Sequence, residues 1–283
     1  MCQHRPVSLP WRCAGVVLTL AWAGVARGVV DVQATARGRI DGNVVQVDLS
    51  VTNAGTDDAY AVVPEVELQS GRQQGLAVPA LEGGDAHAWQ LALPVPAGPG
   101  TYPLIARVRY ADARGTPLSA VVVDLVCAPP CARDAVRVAF PAWTLFLQER
   151  YLVSVAVENG GAAPLAVDLH AVLPDELPGQ VTQRPVVAPA GGRADVPVVI
   201  ENAHAQPGGT YAAWALVEFD ADGLHHAAVA QAPVVVDESG TRAADRGPAV
   251  LAALALGAVG MSGISRFVRG RPPWRRRRVD RNA

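Results

Sequence analysis

Two stretches of this chain carry the same pattern, "PGTYPLIARVRYADARG" from Pro99 and "GGTYAAWALVEFDADG" from Gly208. Tyr102 falls on Tyr211, Tyr110 on Phe219, and the turn after Tyr110 on the turn after Phe219. The match continues upstream, where "VDVQATARGRIDGNVVQVDLSVTNAG" from Val30 lies without a gap on "VRVAFPAWTLFLQERYLVSVAVENGG" from Val136 and places Asn53 on Asn159. The offset is 106 residues at the asparagines and 109 at the tyrosines, so the two copies differ by a small length change in their middles. A unit of about one hundred residues can bury a core of its own, and writing it twice predicts two domains of one kind.

Within each copy the periodicity is that of β-strands. "VVQVDLSVTN" and "YLVSVAVEN" alternate apolar and polar residues and run into Asn-Ala-Gly or Asn-Gly-Gly turns. "AVVPEVELQSG", "HAWQLALPV", "YPLIARVRY" and "LSAVVVDLV" continue the series in the first copy, separated by Pro and Gly clusters. Short strands at this spacing predict an all-β fold, two antiparallel sheets packed face to face in each copy.

The Gly-Thr-Tyr then has a physical task. In immunoglobulin-like sandwiches a tyrosine near the start of a late strand holds the preceding corner through its hydroxyl, and glycine lets the backbone turn there. Tyr102 and Tyr211 stand at that point, each after a Pro-Gly-rich corner. The alternative, an ordinary buried strand tyrosine, leaves the fold unchanged. The strand ending in Val-x-Asn-x-Gly, the later "PGTYPLIARVRYAD" and the tandem arrangement resemble the CARDB/NEW3-like branch of bacterial and archaeal immunoglobulin-like domains. That resemblance covers roughly residues 30–238. It implies adhesive or spacer modules of cell-surface proteins.

Charge is distributed unevenly. All 24 basic residues are arginine, and eight of them follow residue 265 with Asp280 as the one acid there. From Val29 to Arg246 there are 13 arginines against 25 acids, a net of −12, which argues against a nucleic-acid-binding body. Residues 1–28 place Arg5 and Arg12 ahead of an apolar stretch that ends in small residues, the layout of a secretory signal, with an uncleaved anchor as the alternative. Near the other end no charge lies between Arg246 and Arg266, and a 19-residue helix reaches about 28 Å, enough to span a hydrocarbon core. The arginines that follow oppose translocation, so the tail is expected inside the cell. Ala249, Ala253 and Gly257 at four-residue spacing would allow weak self-association through this span, with alanine-rich composition as the plainer reading.

The expected organisation is a signal peptide at 1–28, an immunoglobulin-like β-sandwich at 29–127, a connector at 128–134, a second sandwich at 135–238, a linker at 239–247, one transmembrane helix at 248–265 and a basic cytoplasmic tail at 266–283. The body would lie on the extracytoplasmic side of the cytoplasmic membrane.

Motifs for chemistry are missing from the sequence. No nucleophile elbow, phosphate loop or Cys/His pairing occurs, and the carboxylates Glu65, Glu67, Asp175 and Glu176 read as a solvated face. His225 and His226 are adjacent and read as hairpin residues, and "DADG" reads as a tight turn. No catalytic residue, metal or cofactor is expected. Cys127 and Cys131 in "CAPPC" suit a disulfide in an oxidising exterior, a free or intermolecular pair being the alternative. Strand parity puts Tyr102, Leu104, Ala106, Val108 and Tyr110 toward a core, and puts Trp214 and Leu216 on the outer face of the second copy. An outer face that is apolar must be covered, so Trp214 and Leu216 are candidates for a partner surface, with cover from the other domain equally open. The expected function is a noncatalytic, membrane-anchored interaction or spacer protein with a protein partner in the envelope, accessory to envelope assembly or polysaccharide export. The alternative is a carbohydrate-binding or hydrolytic envelope domain with an unrecognised site.

Overall fold

The structure is a computed structural model that describes residues 29–131, 136–145 and 150–237. The expected signal, linker, transmembrane helix and basic tail lie outside these residues. Among the described residues the regular elements are all strands, and no helix is long and apolar enough to cross a membrane.

The first copy forms β1 (Val32–Asp41), β2 (Val44–Asn53), β3 (Ala59–Leu68), β4 (Gly71–Gln74), β5 (Val78–Leu81), β6 (Ala86–Pro94), β7 (Gly100–Ala111) and β8 (Pro117–Ala128). One sheet is ordered β1-β2-β6, and the facing sheet runs β8-β7-β3-β4 with β5 also on β3. Alternation along β2 sends Val45, Val47, Leu49 and Val51 inward, where they meet Leu104, Ala106 and Val108 of β7. The core of this half reaches from Val30 to Ala128, one residue past the expected boundary.

The second copy forms β9 (Val136–Ala139), β10 (Trp143–Leu145), β11 (Arg150–Asn159), β12 (Leu165–Val172), β13 (Gly179–Val181), β14 (Val186–Ala188), β15 (Arg193–Glu201), β16 (Thr210–Ala221) and β17 (Leu224–Val236). Its sheets are β13-β15-β11-β9 and β14-β12-β16-β17, with β10 running parallel to β17. A separate core lies between them, including Val155, Val157, Leu169, Ala215, Val217 and Val234. The second copy gains one residue between Asn159 and Ala188 and two in the corner between β15 and β16; β4 pairs with β3, whereas β13, in the matching stretch, crosses to the other sheet and pairs with β15.

The asparagine ending each long early strand does the same work twice. Asn53 is fully buried; its Nδ2 donates to Asp57 O at 2.7 Å and Leu81 O at 3.0 Å, and its Oδ1 accepts from Gly55 N at 3.1 Å. Asn159 donates to Ala163 O at 2.8 Å and Ala188 O at 3.2 Å and accepts from Gly161 N at 2.8 Å. Only a short side chain carrying both donor and acceptor can tie the strand end to the following turn and to the next edge strand at once.

The larger sheets of the two halves share one backbone strand pairing. Gly100 of β7 pairs in parallel with His225 of β17, joining them into a ten-stranded sheet. Gly100 has φ +140°, and a Cβ there would collide with the His225 backbone, so this contact admits only glycine.

Candidate functional site

The joint between the halves gathers more of the chain's polar chemistry than any other described region. It begins as a third apolar core. Val121 and Val123 of β8 are buried with Val172, Leu216 and Ala227 from β12, β16 and β17, and Ile105, Leu125, Trp214 and Val229 pack around them. Leu216 is 2% exposed, and Trp214 Nε1 donates to Val121 O at 3.0 Å. A free partner surface at Trp214 and Leu216 is therefore not what the fold makes. Their parity is as expected, but the outer face of β8, with Ile105 of β7, is apolar too, and the two faces bury each other.

The loop after β12 supplies a buried polar lock. Glu176 is 0% exposed; its Oε1 accepts from Ser119 N at 2.5 Å and its Oε2 from Ser119 Oγ at 3.1 Å. Ser119 Oγ in turn accepts from Asp175 N at 2.7 Å. Burial pushes the Glu176 carboxyl above its ordinary range, against the pull of the Ser119 hydrogen bonds. Asp175 pairs with Arg107 at 2.7 Å and with Arg109 at 3.2 Å, and Arg107 also donates to Leu173 O at 2.9 Å. The solvated-face reading fails for Glu176, because the second half folds its loop down onto the outer side of β7 and β8, while Asp175 stays exposed and pairs across the joint. Glu65, by contrast, stays within the first half and pairs with Arg109 and Arg72.

These contacts also finish an edge. β8 has β7 on one side only, and its outward-pointing backbone groups would be open to water or to another strand. His204 Nε2 lies 3.0 Å from Pro117 O, Glu176 takes Ser119 N and Trp214 takes Val121 O. Three side chains from the second half thus cap three successive edge positions.

Tyr102 Oη donates to Gly98 O at 3.1 Å, and Tyr211 Oη accepts from Gln206 N at 2.8 Å, so both hydroxyls engage the preceding corner with opposite hydrogen-bond sense. Burial pushes the Tyr211 hydroxyl up to about 12. The Tyr102 ring stacks on His225 with centroids 4.5 Å apart, linking the first half's corner to the second half. His225 faces Asp220 at 2.9 Å and Glu218 at 3.2 Å, while His226 stacks on Phe219. The turn between them has Asp222 and Gly223 at φ +54° and +75°, the two positive values that a tight hairpin demands. Cys127 at the end of β8 and Cys131 are joined by a disulfide, and Cys131 Sγ lies 3.7 Å from Gly100 O.

Two clefts open along the joint. The larger, about 620 Å³, runs between β1, residues 119–122 of β8 and the start of β16. The smaller, about 290 Å³, is lined by Glu65, Glu67, Arg107, His170 and Glu218. Among the described residues no three His, Cys, Asp or Glu side chains converge as a metal would need. Sequence reasoning missed the Ser119–Glu176 lock entirely, since neither residue has a motif. The signal for Asn53 and Asn159 was present in the ungapped repeat, though their task was not.

The layering and the joint define the class, an all-β body of two sandwich-like halves docked through the outer faces of their larger sheets. No family model and no curated protein matches the chain. Similar solved structures include a protein of unknown function from Porphyromonas gingivalis W83, 15% identical with a TM-score of 0.32 over 72% of this chain and 99% of that one. Red sea bream transglutaminase is 17% identical with a TM-score of 0.27, over 73% of this chain and 31% of its own. The periplasmic chaperone SfaE is 14% identical with a TM-score of 0.29, over 73% of this chain and 100% of its own.

Proposed function

We propose that this chain is a noncatalytic interaction or spacer protein, two tandem immunoglobulin-like sandwiches held outside the cytoplasmic membrane by one C-terminal span with the Arg-rich tail inside. It serves a cell-envelope assembly, such as polysaccharide export, through a protein partner. The observation that carries this reading is the buried joint. With Leu216 and Glu176 sealed between them, the halves move as one stiff body, which is what holding a fixed distance and orientation from a membrane requires. The repeated tyrosine corner supports the immunoglobulin-like assignment. The uncharged window before Arg266 and the arginines after it support the anchor. Protease added outside spheroplasts should digest the body and spare a C-terminal epitope tag, and crosslinking in membranes should capture a specific protein. A mature protein that has lost the tag would overturn the anchor.

A further inference from the structure

The larger cleft is bounded by an edge of β1 that, among the described residues, has no strand paired to it, although β8 packs alongside. Asp31 O accepts from Ala54 N, and Asn53 turns its own N–H and C=O away from β1 toward Asp85 and Gly84. The register of β1 on β2 then directs the odd residues of β1 at β2, and the backbone groups of Val32, Ala34, Ala36 and Gly38 the other way. At the far end this outer edge is closed, because Gly38 N donates to Asp124 Oδ2 at 2.9 Å and a Cβ on Gly38 would run into Val126. At the near end Val32 and Tyr110 are both buried in the first core. Between them Ala34 and Ala36 offer two amides and two carbonyls, and among the described residues no strand pairs with that edge.

The cleft lies directly against this edge. Its floor is residues 119–122 of β8, whose Ser119 amide and Val121 carbonyl are already taken. The opposite wall is Tyr211, Trp214 and Pro233 of the second half, and Asp31 is the one charged side chain in the lining. A row of alternating amides and carbonyls is complemented at every position only by another extended backbone. The near-absence of charge selects against a strongly charged occupant, and the aromatic wall favours apolar side chains.

We propose that this cleft receives an extended, uncharged peptide segment of a partner protein, which adds to the outer edge of β1 at Ala34 and Ala36 and rests its side chains on Tyr211 and Trp214. The proposal relies on the interaction reading above only in taking the occupant from another protein. Four backbone hydrogen bonds at Ala34 and Ala36, about 7 Å of strand, set the register, and the second half supplies the pocket wall. Docking of the halves therefore makes the cleft as well as stiffening the body.

The probe is a fluorescein-labelled acetyl-Thr-Val-Thr-Val-Thr-Val-amide, titrated by fluorescence anisotropy into the docked two-domain protein. Binding should protect the Ala34 and Ala36 amides from hydrogen exchange and leave β6 unchanged. Ala34→Pro removes an outward amide without touching the β2 ladder, which proline tolerates on an edge strand, and should weaken binding at least tenfold. A probe N-methylated at alternate residues tests the same contact with the protein unaltered, and one of its two registers should lose binding to the same extent. Failure of the probe to bind, or equal binding of both N-methylated registers, overturns the proposal. So does a concentration-dependent dimer that Ala34→Pro dissolves, since a second copy would then own the edge. Membrane crosslinks that survive Ala34→Pro would overturn this cleft while leaving the interaction reading in place.

Discussion

At the residue scale the repeated side chains act as ties across turns, and their loss is felt through unsatisfied partners. Asn159→Ala strands Ala163 O, Ala188 O and Gly161 N in or beside the core, and should cost about 3 kcal/mol, read from the urea midpoint. Asn159→Asp keeps the Gly161 bond but turns a donor toward two carbonyls into an acceptor, and should fare no better. Tyr102→Phe gives up the hydrogen bond to Gly98 O and keeps the stack on His225, so about 1 kcal/mol is expected. An unchanged midpoint in that variant would mean the hydroxyl is not what holds the corner.

At the scale of elements, the loop after β12 is pinned by a carboxylate that burial makes reluctant to ionise. Because the docked molecule holds the Glu176 proton more tightly than the unfolded chain does, the favourable contribution is complete below the ordinary value near 4.3 and is lost as pH rises through the higher folded value. The joint should weaken as pH rises from the ordinary carboxyl value through the higher folded one, and Glu176→Gln should remove that dependence. Urea midpoints measured across the window decide it, and identical slopes in the two proteins would assign the effect to other groups. β7 illustrates how an element acquires two interiors: Leu104, Ala106 and Val108 face the first core, while Ile105, Arg107 and Arg109 face the second half. β8 does the same with Val122 and Val126 on one side and Val121 and Val123 on the other.

For the whole molecule, the joint should merge two folding units into one cooperative transition. Leu216→Asp places a charge at a site that is 2% exposed and should undock the halves, turning a single urea transition into two and enlarging the radius of gyration in solution scattering. A single transition retained in that variant would show the units coupled by another route. The repeat, the strand periodicity and the core-facing set from Tyr102 to Tyr110 were legible in the sequence, because alternation with period two is a local property and duplication doubles the signal. The two Asn ties were half-legible, since the alignment marked the positions but only the fold brings Leu81 and Ala188 within reach. The short strands β4, β5, β10, β13 and β14 were not legible, being too brief for a periodic pattern. Trp214 and Leu216 show the boundary most clearly: parity said they point outward and must be covered, and nothing in a linear pattern says by what. That was decided by where the Gly100–His225 contact places one sheet against the other. The same placement buried Glu176 on Ser119, fifty-seven residues away, and left the edge of β1 without a paired strand at Ala34 and Ala36 among the described residues. Local chemistry sets which face of each strand is apolar, but only the assembled tertiary contacts decide which apolar face meets which and which edge is left over.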